Sequence, residues 1–277
     1  MGFSQYIAHG PAAAKPAAAA HPADESEVVT TDNNSEVDLA NSEYYENREL
    51  SYFKFNLRVL EQAKDENHPL LERLMFLLIF SSNLDEFFEI RVSGLKKQLG
   101  FGRQRPGADG QYPEQTLKIL HQQVRDALSE QYRILNDDLF PSLASEGIRF
   151  LARHEWSDSL KDWTRDYFFN EVVPVVSPLG LDPAHPFPRL VNKSLNFILS
   201  LDGKDAFGRD SGLAIVPAPR SLPRLIKVPR EILPDGDNFV FLSSVIHAYF
   251  EGFFLGMRLT ECHKFRFTRN SHLKIAN

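Results

Sequence analysis

Asn83-Leu-Asp-Glu86 places an amide and two carboxylates just two serines after the apolar run "LLERLMFLLIF". The spacing predicts a capping box, in which Asn83 accepts from a backbone N–H of a new helix and Glu86 reaches back to the Asn83 N–H. Asp85 and Glu86 would then stand at the positive end of the helix dipole. Helix N-termini also bind anions, but two acids at this corner repel a phosphate. A nucleotide meeting it would present its base instead. An asparagine amide offers a donor and an acceptor side by side, which suits an adenine edge. The residues alone leave both roles open for Asn83, helix cap and base contact.

Other chemistry is sparse. Just downstream, "RVSGLKKQLGFGRQR" holds Arg91, Lys96, Lys97, Arg103 and Arg105 without one acid. That run reads either as a polyanion contact or as a solvated helix end and loop. The sequence has no glycine-rich phosphate loop with Lys-Ser/Thr, no G-x-S-x-G, and no H-E-x-x-H or paired-cysteine metal spacing. Its nine histidines are scattered, and neither His185 in "DPAHPFP" nor His263 in "ECHKF" has an evident ligand set nearby. They read as surface or satisfied interior groups.

The elements that would position Asn83 follow from periodicity. Residues 1–43, Ala/Pro-rich and then acidic, cannot bury enough apolar surface to offset their ordering entropy and are expected to be a disordered tail, dispensable for folding. Order is expected from near Asn47. Phe53, Leu57 and Leu60 recur at helical spacing, with Phe55 and Val59 widening the stripe. Pro69 opens a second helix with Leu70, Leu71, Leu74, Leu77 and Leu78 on one face. A third helix is expected from about Leu84 to Leu99, and a fourth from Pro113 to about Phe140. Short loops between them favour an antiparallel helical bundle over 44–145. From 146 to 277 the texture changes to short strands ("IRFLA", "NFILSL", "GLAIVPA", "RLIKVP", "NFVFLS", "KFRFTR") interrupted by helical patterns near 156–170 and 243–255, an α+β domain. The fold class is therefore mainly α followed by α+β.

Bulk properties narrow the function classes. A net charge of −6 argues against general nucleic-acid affinity. The single cysteine, Cys262, forms no internal disulfide and needs no oxidising compartment. No apolar run reaches the ~20 residues that span a bilayer, and the N-terminus is not of secretory type. The expectation is a soluble cytoplasmic protein without a transmembrane segment, with peripheral membrane contact left open.

The stretches "NRELSYFKFNLRVLEQA", "PLLERLMFLLIFSSNLDEFFEIRVSGLKKQ", "FPRLVNKSLNFILSL" and "FRFTRNS" resemble the N-terminal half of bacterial polyphosphate kinase, of the type that phosphorylates itself on histidine. The resemblance covers about residues 45–273. It implies a helical N-terminal domain and a head domain that helps form a homodimer, within a dimer or tetramer of the complete enzyme. It also implies ATP/ADP and polyphosphate as substrates. The phosphorylated histidine, the magnesium site and most phosphate contacts would lie in two later domains of phospholipase D-like fold. The chain stops at Asn277, so those domains are expected to be absent and this chain alone inactive. By the same resemblance Asn83, in "NLDEF", touches the adenine side of ATP. Two rivals remain: a non-catalytic scaffold derived from that enzyme, and a nucleic-acid binder using the basic 91–105 stretch.

Overall fold

A computed structural model describes residues 38–102, 105–182, 186–203, 212–254 and 256–269. The expectations for residues 1–37, for His185 and for Arg103 lie outside the described residues. From Leu39 onward the chain forms one compact unit.

The helical half opens earlier than its apolar pattern. Asn41 caps a single 3-10 turn, Ser42–Tyr44, by accepting from the Glu43 N–H at 3.0 Å, so ordered chain precedes Asn47. Helix α1, Arg48–Gln62, is then capped by Asn47, whose Oδ1 accepts from the N–H groups of Glu49 and Leu50, both at 3.1 Å. The Asn47 amide also donates to Asp109 Oδ2 at 2.9 Å and Thr116 Oγ1 at 3.1 Å, which ties the start of α1 to the start of α4 (Pro113–Arg133). Pro113 takes the first helical position, where a missing N–H costs nothing. A π turn, Ile134–Leu139, carries α4 on into α5, Phe140–Ser145.

The expected corner at Asn83 does not exist. Helix α2 runs unbroken from Leu70 to Phe87, and a π turn, Phe88–Val92, joins it to α3, Ser93–Gly100. The capping box is therefore corrected. Asn83 lies in helical interior, where the following N–H groups already have carbonyl partners and no orphan donor awaits a side chain. The physical reason lies in the π turn, which inserts extra backbone into an otherwise continuous helix and resets the phase of its buried face. Two apolar phases in sequence thus read as two helices.

Three apolar positions also depart from expectation. Leu71 and Leu78 of α2 are 60% and 54% exposed, and Phe55 of α1 is 54% exposed. The buried positions of α2 are Arg73, Leu77, Phe80, Leu84 and Phe87. With Phe53 and Leu60 of α1 and Leu120, Val124 and Ala127 of α4, these apolar side chains form the helical core.

The second half contains two sheets. In one, β1 (Ile148–Phe150) pairs parallel with β6 (Asp237–Phe241), which pairs antiparallel with β5 (Leu225–Lys227). The other is antiparallel with order β2-β4-β3-β7, from β2 (Leu179–Leu181), β3 (Ser194–Gly203), β4 (Leu213–Pro217) and β7 (Met257–Phe267). The parallel β1–β6 start requires two backbones to approach closely. Gly147 and Gly236 both take positive φ there, and a Cβ on Gly236 would meet the Gly147 carbonyl oxygen at 2.5 Å.

Helices α6 (Asp158–Tyr167) and α7 (Leu242–Ala248) cover a second core containing Phe168, Phe197, Leu199, Val216, Val240 and Phe250. Helix α7 is shorter than its sequence pattern, because a 3-10 turn at Phe250–Phe253 leads into β7, which starts at Met257. Phe250 is buried, and Phe253 and Phe254 pack on the same core.

Candidate functional site

Asn56 sits on the face of α1 that meets α2 and is 1% exposed. Its Nδ2 donates to the backbone carbonyl of Phe80 at 3.1 Å. A carbonyl only accepts, so this bond fixes which end of the Asn56 amide points where. The remaining end, Asn56 Oδ1, faces Asn83 and accepts from Asn83 Nδ2 at 3.1 Å. The chain of polarity thereby fixes Asn83 as well: one amide hydrogen is held by Asn56, while its second hydrogen and Oδ1 are left over. Among the described residues Asn83 Oδ1 has no partner, and the side chain is half-buried. The geometry leaves the donor–acceptor pair that an adenine edge requires.

By helical spacing, Ile79 and Glu86 flank Asn83 on its outward side, one turn before and after it. Ile79 is 39% exposed, and Ile90, two turns on, is 44% exposed. Tyr52 and Phe87 stack close by, with ring centroids 5.4 Å apart and planes 6° from parallel. Apolar surface beside an oriented amide suits a planar heterocycle. The exposed carboxylate of Glu86 disfavours phosphate at the same point, a conclusion that survives the loss of the capping box.

Asp85 takes no part in this face. Two residues on from Asn83, it points roughly 200° away around the helix and pairs with Arg266 of β7. A cleft of about 380 Å³ lined by Leu84, Asp85, Phe88, Tyr132, Arg266 and Thr268 lies on that opposite side. Sequence reasoning grouped Asn83, Asp85 and Glu86 as one helix start; the structure gives Asp85 and Asn83 opposite faces. It missed Asn56, whose only signal was a polar residue among the apolar positions of α1.

The remaining candidates do not converge on Asn83. Of the basic stretch, Lys97 lies over the Phe101 ring at 5.8 Å, and Lys96 and Arg105 are exposed. His263 is exposed on β7 with Glu261 3.4 Å away. His247 accepts from Arg153 Nη1 at 2.7 Å through Nδ1, and burial followed by the Arg153 charge pushes its pKa down. Among the described residues no group of three or more His, Cys, Asp or Glu side chains is placed to hold a metal ion. None of the described helices is long and apolar enough to cross a membrane.

Comparison with known proteins gives consistent matches. Residues 45–151 match the family model described as polyphosphate kinase N-terminal domain, and residues 159–277 match the polyphosphate kinase middle domain. The chain is 58% identical over 237 residues to the polyphosphate kinase of Pseudomonas aeruginosa, covering 86% of this chain and 34% of that protein. It is 52% identical over 228 residues to the polyphosphate kinase of Neisseria meningitidis serogroup B, covering 82% of this chain and 33% of that protein. The crystal structure of polyphosphate kinase from Porphyromonas gingivalis superposes with a TM-score of 0.66 at 25% identity, over 83% of this chain and 34% of that one. The chain thus spans about a third of the length of the curated relatives it matches.

Proposed function

Because the chain belongs to the polyphosphate kinase family, as its N-terminal and middle domains, we propose that it supplies one wall of the ATP base pocket in an enzyme that reversibly moves the γ-phosphoryl group of ATP onto polyphosphate. The single observation that carries this reading is the oriented amide of Asn83, with Oδ1 and one N–H turned outward beside exposed apolar side chains. Phosphoryl transfer itself depends on positioning and charge stabilisation around the phosphates. In this reading a phosphohistidine, the magnesium ligands and most phosphate contacts belong to other domains of the enzyme, and the residues described here hold the base.

A two-fold contact through the sheet half belongs to the same reading. Phe169, Val175, Phe187 and Val191 supply exposed apolar surface there. Sedimentation at increasing concentration tests it, and a strict monomer at high concentration counts against it.

The test of the base contact is Asn83→Ala in the enzyme that carries this chain. Loss of the contact should lower kcat/KM for ATP about five- to hundredfold, the equivalent of roughly 1–3 kcal/mol. Preference for ATP over GTP should shrink with it, because guanine presents an oxygen acceptor where adenine presents an amine. Unchanged ATP kinetics and unchanged base preference would reduce Asn83 to a structural partner of Asn56.

A further inference from the structure

Asp85 and Glu89 stand one helical turn apart on the side of α2 and its π turn that faces the sheet half. Both reach across to it. Asp85, 18% exposed, pairs with Arg266 near the end of β7. Glu89, 14% exposed, accepts from Lys193 Nζ at 2.7 Å and from the amide of Asn192. These partners hold the Glu89 carboxyl below the usual carboxylate range, Lys193 first and Asn192 second.

The receiving side is itself built. Asn192 Oδ1 accepts from the Arg269 N–H at 2.8 Å, and Arg269 Nη2 donates to the Leu190 carbonyl at 2.6 Å. The Lys193 N–H donates to the Phe267 carbonyl at 2.7 Å. Lys193 takes φ 58°, a left-handed conformation uncommon for a lysine and sustained by these neighbours. The loop before β3 and the end of β7 therefore form one socket for two acids of α2.

We infer that Asp85 and Glu89 are positioning residues, which clamp the Asn83-bearing helix to the sheet half and so fix where the base-reading amide stands. Two anchors a turn apart oppose both sliding and rotation of the helix about its axis. Asn83 lies on the side of the axis away from Asp85, so a small rotation at the clamp becomes a sideways displacement of the amide. This inference rests on the base-contact reading of Asn83.

The test uses isosteric changes that preserve packing, Asp85→Asn and Glu89→Gln, singly and together, in the enzyme that carries this chain. The double variant should raise KM for ATP about three- to tenfold, lower the ATP/GTP preference, and leave KM for polyphosphate unchanged. Exchanging the charges, Asp85→Arg with Arg266→Asp, should recover part of the ATP preference that Asp85→Arg alone loses. A double variant that melts earlier yet keeps its KM for ATP and its base preference overturns the inference. Asn83→Ala measured alongside separates the two ideas. If it weakens ATP use while the clamp variants do not, only the clamp fails; if it too is silent, the base contact fails with it. Should the double variant fold poorly, the ATP-induced shift of the Asn83 side-chain amide in Glu89→Gln decides by NMR: an undiminished shift overturns the clamp, and a diminished one with unmoved core signals supports it.

Discussion

Asparagine does two different jobs in this chain, and hydrogen-bond supply decides which. Asn47 precedes α1, where unpaired N–H groups exist, and it caps them. Asn83 lies inside α2, where none are free, and its side chain turns sideways to Asn56. A test of stability separates a cap from this bridge. Asparagine and aspartate cap about equally well, so a cap tolerates Asn83→Asp. In the bridge an aspartate cannot donate, and its carboxylate would face Asn56 Oδ1. Asn83→Asp should therefore lower the melting temperature more than Asn83→Ala does. Charge acts with equal locality at Glu130, which ties α4 to the end of α1. Arg133, with bonds of 2.8 and 2.9 Å, and then Lys64 at 3.0 Å pull its pKa from 4.5 to about 2. A depressed carboxyl stabilises the fold above its unfolded pKa and loses that effect as pH falls through the folded one. The difference in melting temperature between the wild type and Glu130→Gln should thus hold at neutral pH, shrink below about pH 4.5 and close near pH 2. A difference independent of pH would assign the effect to packing.

Helices and strands were legible in the sequence wherever one period ruled a whole element. The stripe Phe53 and Leu60, the proline at the start of α4, and the short apolar runs of β3 and β6 all signal their elements locally. Three features were not local. The π turn at Phe88–Val92 is stabilised by what each flanking helix packs against, and no residue type announces it. β2 is three residues long and exists through its pairing with β4. The parallel β1–β6 pairing joins segments nearly ninety residues apart, with Ile148 opposite Asp237. At the site, Asn83 and the apolar run before it were visible, whereas Asn56, Arg266 and Lys193 meet α2 only through the tertiary fold. Continuity of α2 has a sharp consequence at Ser82, which is exposed. Were a corner there, Ser82→Pro would be harmless. Inside a helix it removes a backbone hydrogen bond and clashes with the preceding turn, at about 3 kcal/mol or more. Chemical denaturation of Ser82→Pro beside a Ser82→Ala control measures the difference, and equal stability of the two would restore the corner.

At the scale of the molecule the two cores are separate sets of side chains, one in the helices and one around the sheets. Two bridges between them stand out among the described residues. One is the pair of acids on α2; the other is an aromatic column in which Phe150 of β1 stacks on Phe140 of α5, with centroids 5.0 Å apart, and on Phe239 and Phe241 of β6 at 5.8 and 5.9 Å. Aromatic pairs of this kind add roughly 0.5–1.5 kcal/mol each beyond the area they bury. Each core alone would leave the facing surface wet, so the expected outcome is that the halves unfold as one. Both tryptophans report on the sheet half, Trp156 from within its core and Trp163 packed against it. Far-UV circular dichroism weighs the helices instead. In the wild type the two signals should therefore change together in a denaturant titration, the mark of a two-state transition. Phe150→Ala combined with Asp85→Asn and Glu89→Gln should pull them apart and lower the slope of each transition, because less surface is exposed in each step. Signals that already diverge in the wild type would show that the halves fold independently, and the orientation of α2 would then need another source than these two bridges.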